Sequence, residues 1–332
     1  MLPTTFPTGG ASRIAGSLRE GLHGAGRRSY DATMEQEIRR LGKGPVHYRR
    51  MGGPGPALVL LHGLASNGTR WNELVRTSEL RKHWTVLVPD LRGQALSLYR
   101  GRTRSEDWLT DLAAMLDQEG FDDCVIGGHC LGANVAARFA RRWPQRARGL
   151  ILVEPMLVEA LTGTLGLLSR LRGLLRPLLA VTLAANAIGL ARRSLPVLDL
   201  EELDRETRRK MVEGEGIQAL TRRYGSPLHD LRYLPVSSYL QGLIETLRPM
   251  PPWRDIDTPT LVLLSSGGRF GDPGHLRRTL TALPDHAIVM LEAEHWIHAE
   301  QPEALQAHIE TWLAGDRLVG HRLAGSAHYV GP

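Results

Sequence analysis

The stretch Asp122–Pro144, DDCVIGGHCLGANVAARFARRWP, decides the fold. DDCVIGG reads as a short buried strand, and Leu131 to Arg142 has the spacing of a helix that Pro144 terminates. Only His129 and Cys130 lie between them, within Gly128-His129-Cys130-Leu131-Gly132, so the strand turns into the helix within a few residues. A reactive side chain on so sharp a turn needs small neighbours, because the backbone leaves no room for larger ones. Gly128 and Gly132 meet that need, and Gly127 and Ala133 keep the surroundings small. The helix N-terminus points at Cys130, which favours a thiolate and any oxyanion formed beside it. The alternative is that Cys130 is a small buried hydrophobe, which is the expectation for Cys124 within the strand.

Working outward, short apolar runs alternate with helical patterns, as in a mostly parallel sheet. VHYRR (Val46–Arg50) reads as an edge strand, and ALVLLHG, WTVLVPD and RGLILVEP read as further strands. Ser105 to Glu119 has helical apolar spacing through Trp108, Leu109, Leu112, Met115 and Leu116. After Met156 the strand pattern stops until TPTLVLLSS and HAIVMLEA, and a last helix is expected from about Pro302 to Leu313. The expected organisation is an N-terminal arm (1–44), an α/β core (45–155 and 251–315), a helical cap (156–250) and a C-terminal tail (316–332). In the cap, Leu167, Leu168, Leu171, Leu174, Leu175, Leu178 and Leu179 fall at helical spacing. A helix buried against the main domain is expected ahead of a membrane-surface helix, and Arg170, Arg172, Arg176 and Pro177 break any spanning length.

The chain has 332 residues and a formal net charge of +6, carried almost wholly by arginine spread along its length. Aromatic residues are scarce and the basic ones are not clustered, so no nucleic-acid partner is expected. Two closely spaced cysteines do not make a disulfide framework, and a reducing, cytoplasmic setting fits them. The first thirty residues lack a continuous apolar core, so no secretory signal is expected. Their Arg- and Ser-containing, acid-poor character is shared with transit peptides, but a disordered or loosely docked arm is the preferred reading.

The pentapeptide around Cys130 resembles the nucleophile elbow of the α/β-hydrolase superfamily, with cysteine in place of serine. LVLLHGLASNGTRW (Leu58–Trp71) resembles that family's strand and oxyanion loop, and VPDLRGQALS its next strand and turn, although Gln94-Ala95 departs from the usual His-Gly. EHWIHAEQPEAL (Glu294–Leu305) resembles the segment bearing the catalytic histidine. The resemblance implies an α/β fold, with a mostly parallel central sheet flanked by helices and a helical cap insertion. It implies Cys130 as nucleophile and His295 as base ahead of His298. The Leu64 and Leu131 amides are implied as oxyanion donors, between elbow glycines Gly128 and Gly132. For the acid it implies Asp272, the first carboxylate after TLVLLSS, with Glu154 as the alternative after the preceding strand. His62, Trp71, His129, Trp296 and His298 are pocket candidates, with His62 expected to hold the loop. No metal or cofactor is implied.

A thiolate exchanges readily with acyl thioesters, so the expected activity is thioester hydrolysis or acyl transfer on a hydrophobic acyl group. The leucines of the cap suggest the acyl pocket, and Arg170, Arg172 and Arg176 an anionic carrier, coenzyme A or a carrier protein. Lactone hydrolysis or formation is the nearest alternative. A carboxylesterase or lipase-like enzyme, or a non-catalytic ligand-binding relative, stands behind it. Epoxide and haloalkane chemistry require a carboxylate nucleophile and are set aside.

Overall fold

Strand-forming runs with no polar face make the middle of a sheet, and amphipathic ones its margins. The computed structural model describes residues 36–192, 194–215, 224 and 226–315. The expected tail and all of the expected arm before residue 36 lie outside the described residues. Eight strands form one sheet: β1 (Glu37–Arg40), β2 (His47–Gly52), β3 (Ala57–Leu61), β4 (Thr85–Pro89), β5 (Cys124–His129), β6 (Ala147–Val153), β7 (Thr260–Ser265) and β8 (His286–Leu291). Their order is β1-β2-β4-β3-β5-β6-β7-β8. β3, β4, β5 and β7 are buried at every residue, whereas β8 at the edge is mostly half-buried. β1 and β2 are antiparallel additions, and every pairing from β4 through β8 is parallel. The sheet therefore begins at Glu37 rather than in the region of residue 45, because EIRR pairs with β2 inside the stretch expected to be an arm.

From β3 the chain steps to β4 on one side and then crosses to β5 on the other. That reversal opens a crevice at the carboxyl ends of β3 and β5, the usual location for a ligand site in an open parallel sheet. Helix α1 (Ser105–Glu119) covers the residues expected of it, buries Trp108, Leu109, Leu112, Met115 and Leu116, and stops at Gly120 with φ 75°. Helix α2 (Leu131–Arg142) follows β5 after one intervening residue, and nine of its residues from Leu131 to Ala140 are buried.

Between β6 and β7 the described chain is helical, with α3 (Gly163–Arg170), α4 (Leu175–Ala187), α5 (Leu200–Lys210) and α6 (Val236–Thr246) the longest pieces. Leu175 and Leu179 of α4 pack with Leu240, Leu243 and Leu247 at and after α6, and Leu64 joins the same cluster. The expected burial of the leucine segment therefore holds for one side only, since Leu167, Leu171, Leu174 and Leu178 are exposed. Beyond β7 come α7 (Pro273–Leu280), the short α8 (Ile297–Glu300) and α9 (Pro302–Ala314). No described helix is long and apolar enough to cross a membrane.

Candidate active site

Cys130 is the single residue between β5 and α2, and it stands at φ 54°, ψ −117°. Such a conformation costs a non-glycine residue about 1–3 kcal/mol and persists only where the surroundings enforce it. Here they do. A Cβ on Gly128 would lie 2.4 Å from the Gly132 carbonyl carbon, and one on Gly132 would lie 2.5 Å from the Leu61 carbonyl oxygen. Both glycines thus let β3, β5 and α2 approach more closely than any side chain permits. The Cys130 amide donates to Val153 O at 2.9 Å, which pins the turn to β6. Asn134, one turn into α2, exchanges two bonds with the Met156 backbone at 2.8 and 3.0 Å.

The same β6 edge supplies a carboxylate. Glu154, the residue after the strand, has φ 51° and is buried. Its Oε2 lies 2.9 Å from Nδ1 of His295. Its other oxygen accepts the Ser265 amide at the end of β7. His295 is buried, and the Glu154 carboxylate and the Cys130 thiol are the groups that act on its ring. Burial works against the imidazolium, but Cys130 and Glu154 outweigh it, and the pKa of His295 is pushed up to about 9. Cys130, His295 and Glu154 are thus brought together at the carboxyl ends of β5 and β6.

Asp272 is not among them. Its exposed carboxylate caps α7 by accepting the His275 amide at 2.9 Å, the role an Asp-Pro pair plays at a helix start. Of the two candidate acids, Glu154 lies at His295 and Asp272 at the start of α7. The His295 loop is held by Glu300, which accepts the backbone amides of Glu294, His295 and Trp296 at 2.8, 3.2 and 2.9 Å. The sequence reading passed over Glu300 and Asn134; a carboxylate five residues after the histidine is the only local signal for the former.

The Leu64 loop and the α2 N-terminus flank Cys130. A Cβ on Gly63 would meet Cys130 Cβ at 3.3 Å, so this loop runs directly past the thiol. Leu131 is the first residue of α2, where an amide has no intrahelical acceptor. Neither the Leu64 nor the Leu131 amide donates to another described backbone group. His62 donates from Nδ1 to Gly63 O at 2.8 Å and accepts the Leu91 amide on Nε2 at 3.0 Å. Both its ring nitrogens are thus committed to the loop, and burial lowers its pKa.

The other pocket candidates form an aromatic wall beside His295, and His298 also lines a separate cavity of about 100 Å³ with Arg70, Glu73 and Leu74. His129 donates from Nε2 to His295 O at 3.1 Å, and its ring centroid lies 4.8 Å from those of both His295 and His298. Trp71 meets His298 edge-on at 4.5 Å. Burial, then neighbouring positive groups, hold His129 and His298 well below the usual imidazole range, so both are neutral. Trp296 packs beside His295, Phe270 and Tyr224. None of the five lines the cavity beside Glu154 and His295, which is walled by Met156, Leu157, Leu161, Phe270 and Leu276. Cys124 is buried within β5, and burial raises its thiol pKa strongly.

The model of the alpha/beta hydrolase family matches residues 58–307. The chain is 24% identical over 274 residues to the sn-1-specific diacylglycerol lipase ABHD11 of Mus musculus, covering 81% of this chain and 85% of that protein. It is also 24% identical over 259 residues to 2-(acetamidomethylene)succinate hydrolase of Mesorhizobium japonicum, covering 76% of this chain and 85% of the other. Among solved structures, the thioesterase domain from the curacin biosynthetic pathway aligns at a TM-score of 0.53 and 18% identity, over 84% of this chain and 99% of that domain.

Proposed function

The chain belongs to the α/β-hydrolase family, and from that premise we propose that it is an acyl-transfer enzyme working through a thioester on Cys130. The His295–Glu154 pair at 2.9 Å, with His295 pushed up to about 9 against its burial by Cys130 and Glu154, carries this reading. A histidine that keeps its proton near neutrality, beside a thiol, favours a thiolate–imidazolium pair. Glu154 orients the ring and stabilises the imidazolium, the part played by the acid of a triad.

The thiolate Sγ attacks the acyl carbonyl carbon, and the oxygen takes the negative charge facing the Leu64 and Leu131 amides. Collapse of that intermediate breaks the bond to the leaving group, and His295 supplies its proton. His295, now neutral, accepts a proton from the incoming water, alcohol or amine as this attacks the thioester. The tetrahedral intermediate then expels Cys130 as thiolate. Glu154 holds the His295 ring in place through both steps.

The apolar cluster of the cap, Leu175, Leu179, Leu240 and Leu243, adjoins Leu64 on the loop beside Cys130, which supports a hydrophobic acyl group. A thioester donor, on coenzyme A or a carrier protein, matches the leaving-group chemistry of a cysteine enzyme. A cytoplasmic setting would keep the thiol reduced. The decisive test is intact-mass measurement after incubation with a panel of acyl thioesters of increasing chain length, comparing wild type with Cys130→Ala. An acyl adduct on wild type, absent from the variant, is expected, and its mass names the acyl class. Absence of an adduct with every activated donor, under quench conditions that trap acyl-enzymes, would overturn the reading.

A further inference from the structure

The leucine-rich segment of the cap carries two apolar stripes where a surface helix ordinarily carries one. One stripe, centred on Leu175 and Leu179, is buried against α6. The other, Leu167, Leu171, Leu174, Leu178, Val181 and Ile188, recurs at three- and four-residue steps or their sum. Every member is 47–76% exposed. Scattered exposed leucines are ordinary, but six exposed large apolar residues between Leu167 and Ile188, on α3, α4 and the turns that follow them, mark a surface that something covers.

The charge beside the row says what. Arg170, Arg172 and Arg176 come from the same segment. With Arg102, Arg104 and Arg248 they line an open basin of about 770 Å³ along its flank. Only Arg248 of the six is paired with carboxylates, Glu106 and Glu245. The other five have no ion pair with a described residue. A second copy meeting this face across a two-fold axis would bring one arginine group against its duplicate, which like-charge repulsion opposes. A soluble phosphorylated ligand would satisfy the arginines and leave the leucines in water. A bilayer bearing anionic headgroups satisfies both: phosphates face the basin while the leucine row enters the boundary between headgroups and acyl chains.

We propose that residues 167–188 form a peripheral membrane-docking face selective for anionic phospholipid bilayers. This stands apart from the acyl chemistry assigned to Cys130, since none of these residues touches Cys130, His295 or Glu154.

The test is co-sedimentation of the full chain with vesicles of phosphatidylcholine alone and of phosphatidylcholine with phosphatidylglycerol. Binding to the mixed vesicles, at least about ten-fold tighter than to the neutral ones, is expected. It should weaken as salt rises, because the basin's contribution is electrostatic. Leu174→Asp/Leu178→Asp should reduce vesicle binding by about ten-fold or more, and Arg170→Gln/Arg172→Gln/Arg176→Gln should abolish the preference for anionic lipid. All five positions are exposed, so circular dichroism and reactivity of Cys130 with a soluble thiol reagent should match wild type in both variants. Wild-type protein that ignores anionic vesicles overturns the proposal. So does equal binding by the Leu174→Asp/Leu178→Asp variant. A concentration-dependent dimer in light scattering, broken by that same variant without vesicle binding, would reassign the row to self-association. Saturable binding of free coenzyme A to the arginines without vesicle binding would assign the basin to a soluble anion.

Discussion

Replacing Glu154 by glutamine changes almost no volume, but it removes the negative charge 2.9 Å from His295 Nδ1. It also removes one of two acceptor oxygens. In wild type one serves His295 and the other the Ser265 amide, so a single amide oxygen leaves one of those donors unmatched. Burial then opposes the imidazolium with only Cys130 on the other side. A hydrogen bond to a charged group contributes about 1.5–3 kcal/mol. At about 1.4 kcal/mol per pH unit, the His295 pKa falls from about 9 by roughly 1–2 pH units. The assay is single-turnover acylation of Cys130 by a soluble acyl thioester across pH 6 to about 10. The alkaline limb, where His295 loses the proton it gives to the leaving thiol, should move down by that amount. At the pH of the wild-type limb the rate should fall by roughly 5- to 50-fold. Asp272→Asn is the matched control. Its carboxylate is exposed and asparagine also caps helices, so limb and rate should stay within about two-fold of wild type. An unmoved limb in Glu154→Gln, or a moved one in Asp272→Asn, would refute the assignment of the acid.

Further outcomes follow from the same geometry. His295 is held protonated to about 9 in the folded chain against an ordinary 6.5. Its contribution to stability is therefore fully present below about 6.5 and disappears as pH rises through about 9; thermal midpoints across that window should decline in wild type and less in Glu154→Gln. Gly128→Ala and Gly132→Ala each place a methyl group 2.4–2.6 Å from backbone atoms, so each should cost at least about 1–3 kcal/mol in denaturant unfolding. Asn134→Ala strands the Met156 amide and carbonyl; a loss of about 1–3 kcal/mol should accompany slower acylation, since those bonds tie α2 to the strand end bearing Glu154. Glu300→Ala frees three amides of the His295 loop, and acylation should fall further than the thermal midpoint does.

What the sequence made legible depended on period and on local turn chemistry. α1 and the Cys130 turn carry their full signal within a dozen residues, one through its apolar spacing and the other through glycines that nothing else can replace. β1 could not be read this way. EIRR has no apolar alternation, and what makes it a strand is β2, whose backbone it pairs with. Asp272 and Glu154 show a related limit: chain order says which carboxylate comes first after a strand, not which way it points. The Asp272-Pro273 pair did carry a helix-start signal, and it outweighed proximity in sequence. In the cap, three-and-four spacing announced a helix without saying which apolar face would be covered, because both faces satisfy it.

Cys124 has a consequence of its own. Its thiol sits in the middle of the sheet, 3.7 Å from the Arg146 carbonyl oxygen, and burial strongly disfavours the thiolate. The chain contains only two cysteines. In the native state, then, a thiol-directed fluorophore or electrophile should modify one site and count one equivalent, at Cys130. Two equivalents should become titratable only when the sheet opens. The molecule thus carries its own internal meter, in which the first equivalent reports occupancy of the reactive turn and the second reports loss of the fold.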